Sequence, residues 1–149
     1  MQSNEKSKET PQVVQVEVYY HTRDAAEFHP NLYAQATVFP NQESVSALAK
    51  LGLYEKAAVV VVPAGAQPEH ALEIAYERTQ NIHDSWTKNP EVTAITERPR
   101  SSMLGDVFVL KDQPFTVATF GFKPLDSFER PPEPKKINDR RLDDEGPSF

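Results

Sequence analysis

Chemistry in this chain would have to come from one polar loop. Arg98, Arg100, Ser101, Ser102 and Asp106 bring two guanidiniums, two hydroxyls and a carboxylate onto a short segment stiffened by Pro99. Guanidiniums held this way can grip a phosphate or a partner carboxylate through two parallel N–H bonds. The same residues support a quieter role, in which one arginine pairs with Asp106 or Glu97 and orders the loop while the serines bond nearby backbone. Hydrolysis by Ser101 or Ser102 would need a base beside the hydroxyl. Neither serine sits in a Gly-x-Ser-x-Gly elbow and no histidine is near them in sequence. The loop therefore reads as a partner-binding surface made of Arg98, Arg100, Ser101, Ser102 and Asp106, bordered by Trp86. For Trp86 a core role competes, because aromatic rings mostly serve by burying area.

Other constellations carry less. His21, Asp24, Glu27 and His29 are ligand types, but their spacing matches no zinc pattern with a mechanism behind it, and a solvated loop is expected there. Five dispersed glycines form neither GxGxxG nor GxxxxGK[ST], and the absence of cysteine removes thiolate sites and disulfides together. No cofactor and no metal is expected.

A formal net charge of -6 argues against a general nucleic-acid binder, which needs a cationic face. The alternative of a small nucleic-acid-binding module would have Arg98, Arg100, Lys88 and Lys111 converge, with Trp86 or Tyr76 as a stacking platform. No apolar run approaches the roughly 20 residues of a membrane span, and the amino end lacks a signal-peptide core. A cytoplasmic location is the default expectation.

The elements that must position the loop follow from hydrophobic period. Val14, Val16, Val18 and Tyr20 alternate with polar residues as in a half-buried strand. His21 to Asn31 is a polar connection, with room for a helical turn at Arg23 to Glu27. Leu32 to Phe39, rich in β-favouring residues and stopped by Pro40, reads as a second strand. Asn41 or Ser44 can cap a helix near Glu43 to Leu51 that Gly52 ends. The apolar run Ala57 to Val62 suits a central strand buried on both faces. A longer helix, Pro68 to Asn81, starts on proline and shows a stripe of Leu72, Ala75, Tyr76, Thr79 and Ile82. Glu91 to Thr96 forms another strand. A hairpin then leaves the Gly105-Asp106 turn, runs Val107 to Leu110, and returns as Phe115 to Phe122 after Lys111 to Pro114.

These elements predict one α+β domain over residues 12–125, with two helices on a mostly antiparallel sheet of about five or six strands. Residues 1–11 are expected to be a disordered tail. The proline- and charge-rich residues 126–149 are expected to be a second one.

The stretch Arg100-Ser101-Ser102-Met103-Leu104-Gly105-Asp106-Val107-Phe108-Val109-Leu110, with Phe115 to Phe122 and Leu125 behind it, resembles the carboxyl-terminal portion of YodL-like domains. The helix from Ala71 to Asn81 followed by Trp86 is similar to small uncharacterised bacterial proteins with the same ending. This chain departs from the pattern at Met103, where such segments carry a second serine. The resemblance implies a small accessory protein of a plasmid, phage or other mobile element, with no established catalytic activity and no cofactor. The function expected is that of a non-catalytic interaction protein that binds and modulates a protein partner.

Overall fold

The computed structural model describes residues 13–97 and 99–132. Six strands form one antiparallel sheet: β1 (Val13–His21), β2 (Tyr54–Pro63), β3 (Val92–Ala94), β4 (Val107–Leu110), β5 (Gln113–Ala118) and β6 (Gly121–Pro124). Their spatial order is β3-β2-β1-β4-β5-β6. Four helices cover it: α1 (Arg23–Phe28), α2 (Pro30–Val38), α3 (Gln42–Lys50) and α4 (Pro68–Arg78), with a 3-10 turn at Trp86–Lys88. The architecture is α+β, with an antiparallel six-stranded sheet.

Alternating side chains divide between two apolar layers, because successive residues of a strand point to opposite faces. Val16, Val18, Tyr20, Val60 and Phe108 meet Leu72 and Ala75 of α4 together with Trp86. Tyr19, Val107 and Val109 meet Ala36 of α2 and Val45 and Leu48 of α3 on the other side. β1 is therefore an inner strand whose second half, Tyr19 to His21, is buried on both faces. The half-buried reading held only for its first residues. A β-bulge leaves Ala57 without a β1 partner, since Val18 faces Ala58 and Tyr19 faces Lys56. Full burial of a side chain such as Leu48 or Leu72 stabilises the fold by about 1.5–3 kcal/mol.

Leu32 to Phe39 is not a strand. As far as Val38 it lies in α2, with Phe39 as the C-cap; the helix starts with Pro30 at its first turn and buries only Ala36. Intrinsic β preference is a weak prior. The Thr37 hydroxyl bonds back to the Tyr33 carbonyl at 2.9 Å, so even this β-branched residue is accommodated within the helix. The count of six strands survives because the returning run Phe115 to Phe122 breaks at Thr119-Phe120 into β5 and β6. Gly121 turns the chain there at φ +89°.

The expected pair of helices becomes four, because the helical turn allowed at Arg23 to Glu27 forms as α1 and the expected second strand folds as α2. The helix expected from Asn41 or Ser44 forms with Asn41 as its cap, Ser44 completing a reciprocal capping box. The stripe is realised by Leu72, Ala75 and Tyr76 of α4 and by its C-cap Thr79, while Ile82 lies beyond the helix and is exposed. The limit drawn at residue 125 is too short. Phe128 packs edge-on against Tyr19 and Tyr54, and Arg130 pairs with Glu17, so the segment as far as Arg130 lies on the domain. Residues 1–12 and 133–149, and with them all of the expected amino-terminal tail and most of the carboxyl-terminal one, lie outside the described residues.

Candidate functional site

The register between β1 and β4 builds the site. Tyr19 faces Val107, so Asp106, the residue just before β4, arrives beside the end of β1 at Tyr20 and His21. Gly105 makes that approach feasible. At φ +88° it passes so close to α2 that a Cβ would sit 2.6 Å from the Ala36 carbonyl oxygen. Its own carbonyl accepts the Tyr54 hydroxyl at 2.7 Å.

Asp106 is fully buried and fully bonded. Its Oδ2 accepts from Arg100 Nη1 at 2.8 Å and from the Met103 backbone N–H at 2.8 Å. Its Oδ1 accepts from Arg100 Nη2 at 2.8 Å and from the His21 N–H at 3.2 Å. The Arg100 guanidinium is thus gripped bidentately from inside the protein. It also donates to the Ser101 and His21 carbonyls and stacks over the Tyr20 ring, 4.0 Å from its centroid. Burial pulls the Arg100 pKa down, but the bonds and charge of Asp106 outweigh this and leave it above its ordinary value.

His21 reads its tautomer from its neighbours. Nε2 lies 3.2 Å from the Leu104 carbonyl, which only accepts, and Nδ1 lies 3.4 Å from Arg100 Nη2, which only donates. The proton is on Nε2 and the ring is neutral. Burial lowers the His21 pKa from 6.5; Asp106 opposes this, Arg100 reinforces it, and the net direction is down. The 3.4 Å approach of Nε2 to Asp106 is accordingly not an ion pair at neutral pH. Burial likewise pushes the hydroxyls of Tyr20 and Tyr54 up, so both remain protonated donors.

The rest of the loop is tied to the end of α4. Ser102 is buried between the hydroxyls of Tyr20, at 3.0 Å, and Thr79, at 2.6 Å. Ser101 Oγ accepts the Asn81 N–H at 2.8 Å, and Asn81 also holds the Pro99 carbonyl and the Trp86 N–H. Trp86 is 2 % exposed, and its indole N–H donates to the Arg100 carbonyl at 2.7 Å. Arg100, Ser101, Ser102, Asp106 and Trp86 therefore do come together, but as a brace between β1, β4 and α4 that faces inward. Arg98 lies outside the described residues. The hydroxyls of Ser101 and Ser102 meet backbone, Tyr20 and Thr79, with no histidine among their bonded partners.

Two of the residues named for a basic face with a stacking platform are already engaged. Lys88 pairs with Asp84 at 3.2 Å, and Trp86 offers no exposed ring for stacking. His21, Asp24, Glu27 and His29 do not form a cluster able to hold a metal, and no such group occurs among the described residues. His21 ends a buried strand, and the expected solvated loop is helix α1. No helix among the described residues is long and apolar enough to cross a membrane.

Of the open surfaces, two carry side chains placed for contact with another molecule. A cleft of about 270 Å³ borders the brace, with Thr22, Arg23, Tyr33, Glu55, Arg100 and Met103 in its walls. Farther away, Phe39 (73 % exposed) and Phe120 (95 % exposed) flank a groove of about 300 Å³ that also takes in Val38, Pro40 and Lys123. Reading by residue polarity missed both, because their key members are aromatic or sit on α1 and α2. The signal for α2 was Pro30, a natural first-turn residue.

Fold and site define an α+β protein with an antiparallel sheet and a buried aspartate gripped by a half-buried arginine on a serine-bearing loop. Compared with protein-family models, curated proteins and solved structures, the chain finds no match.

Proposed function

We propose that the protein is a non-catalytic interaction module, and that its contact face is the Phe39–Phe120 groove rather than the Arg100 loop. One observation carries this: two phenylalanines from separate elements, the end of α2 and the β5–β6 turn, stand exposed on either side of one groove. Contiguous exposed apolar surface of this kind marks binding sites, and aromatic anchors dominate their energetics. Lys123 is the one charged residue lining the groove and has no ion pair among the described residues. The fitting occupant is an apolar peptide segment of a partner that carries a carboxylate beside its anchoring side chain. The resemblance to YodL-like accessory domains of mobile elements agrees with such a role.

The test is selection of displayed random peptides on the intact protein, with the selected peptides mapped by amide chemical shifts. Supporting peptides pair an aromatic or aliphatic anchor with Asp or Glu, perturb residues 38–41 and 118–123, and lose binding to the Phe39→Ser/Phe120→Ser protein. Selection of no peptide, or of peptides that bind the double variant equally well, overturns the reading.

A further inference from the structure

The cleft beside the brace is independent of the Phe39–Phe120 groove and has its own chemistry. Thr22 occupies the N-cap position of α1 in an extended conformation, yet its side chain makes no capping bond. Its Oγ1 is buried and is the side-chain atom left without a hydrogen-bond partner among the described residues. A buried hydroxyl with nothing to bond is costly, and such exceptions ask for a missing partner. Thr22 lines the cleft.

The charges around that hydroxyl are mixed. Arg23 lies in the cleft wall with no ion pair among the described residues. Glu55, the cross-strand neighbour of Tyr20, has only the Thr96 hydroxyl, at 3.4 Å, as a bonded neighbour there. Arg100 brings a guanidinium already neutralised by Asp106, so it adds no net charge. Tyr20, Tyr33, Ala26 and Met103 supply apolar wall. An anion alone would leave Glu55 opposed, and a cation alone would leave Arg23 opposed.

We propose that this cleft binds a small zwitterion of the α-amino-acid class. Its carboxylate lies toward Arg23 and the Thr22 hydroxyl, its ammonium toward Glu55, and an apolar side chain lies against Tyr33 and Met103. A volume of about 270 Å³ suits a ligand of that size, at the small end of ligand pockets.

The experiment titrates the intact protein with L-phenylalanine, N-acetyl-L-phenylalanine and L-phenylalaninamide, reading amide and side-chain shifts. The two capped probes stand in for the carboxyl and amino ends of a peptide, so they separate a free amino acid from a partner's terminus. Saturable shifts at Thr22, Arg23, Tyr33 and Met103 with L-phenylalanine are expected, with each capped probe at least about tenfold weaker. Glu55→Gln should abolish the preference over the acetylated probe. Thr22→Val, which removes only the unpartnered hydroxyl, should weaken L-phenylalanine several-fold in a protein whose spectrum shows it folded. Absence of saturable shifts, equal affinity for all three probes, or indifference to both substitutions overturns the assignment. None of these results bears on peptide binding at Phe39 and Phe120.

Discussion

The Arg100–Asp106 loop and the Phe39–Phe120 face invert the usual relation between polarity and exposure. The loop carries two serines, an aspartate and an arginine, and the structure turns Ser102 and Asp106 inward until both are buried. The face carries two phenylalanines and a valine, and the structure turns them out. What separates the two is satisfaction. Each polar group of the loop finds partners inside, so burial costs little and fixes one arrangement. The phenylalanines find none, which leaves their surface free for another molecule.

The largest expected effect breaks the loop. Removing one partner of a buried ion pair strands the other, at about 3–5 kcal/mol. Asp106 has no access to water, whereas the Arg100 side chain is 33 % exposed. The penalty is therefore asymmetric. Arg100→Leu leaves a buried carboxylate with only the His21 and Met103 N–H groups and should fall in that range. Asp106→Asn leaves a guanidinium that can turn toward solvent and should cost less. Urea unfolding of the two variants measures the difference; equal losses would mean that Asp106 is not the desolvated member. Charge reversal at Arg100 consequently reports on stability and cannot serve as a test of partner binding.

Much of this loop was legible in the sequence, and its direction was not. Arg100, Ser101, Ser102, Asp106 and Trp86 were singled out by type and spacing, and pairing of an arginine with Asp106 was one of the two readings of the motif. What a linear reading lacks is the register that sets Asp106 beside His21. That contact joins residues 85 apart in sequence. Tyr20, Tyr54 and Thr79 were missed for the same reason: each reads as ordinary strand or helix core, and only the sheet aims its hydroxyl at the loop. The strand expected at Leu32 to Phe39 failed differently. Val38 and Phe39 favour strands locally, but Pro30 starts a helix whose buried residue is Ala36, with its backbone carbonyl set against Gly105. The error concealed the exposed face, since a strand there would have placed Val38 and Phe39 on opposite sides of a sheet.

The next effect tests that packing of α2 on the loop. Gly105→Ala adds a Cβ against the Ala36 carbonyl and forces a non-glycine residue to φ +88°. A strained backbone position of this kind costs on the order of 1–3 kcal/mol. The urea midpoint should fall at constant slope. Gly52→Ala, also at positive φ but with nothing within 4 Å, should lose less.

A pH series probes the brace more gently. The folded pKa of His21 lies below its unfolded value of 6.5, so between the two the unfolded chain binds more protons. Stability tied to neutral His21 is fully present above pH 6.5 and is lost as pH falls from there toward the folded pKa. Melting temperatures between pH 7.5 and 5.5 should decline in the wild-type protein, and the decline should flatten in His21→Asn. A slope unchanged by the substitution would assign the dependence to other groups.

The smallest expected effect belongs to the exposed face, and its smallness is the informative result. Phe120 is 95 % exposed and Phe39 is 73 % exposed, so neither buries enough area to contribute to folding. Phe39→Ser and Phe120→Ser should each change stability by no more than about 0.5 kcal/mol, the range of surface substitutions that touch no special feature. A loss well beyond that would show that the rings pack against the domain and would end the case for a free surface. An unchanged midpoint, together with lost capture of selected peptides, would place stability in the inward polar loop and recognition on the outward apolar one.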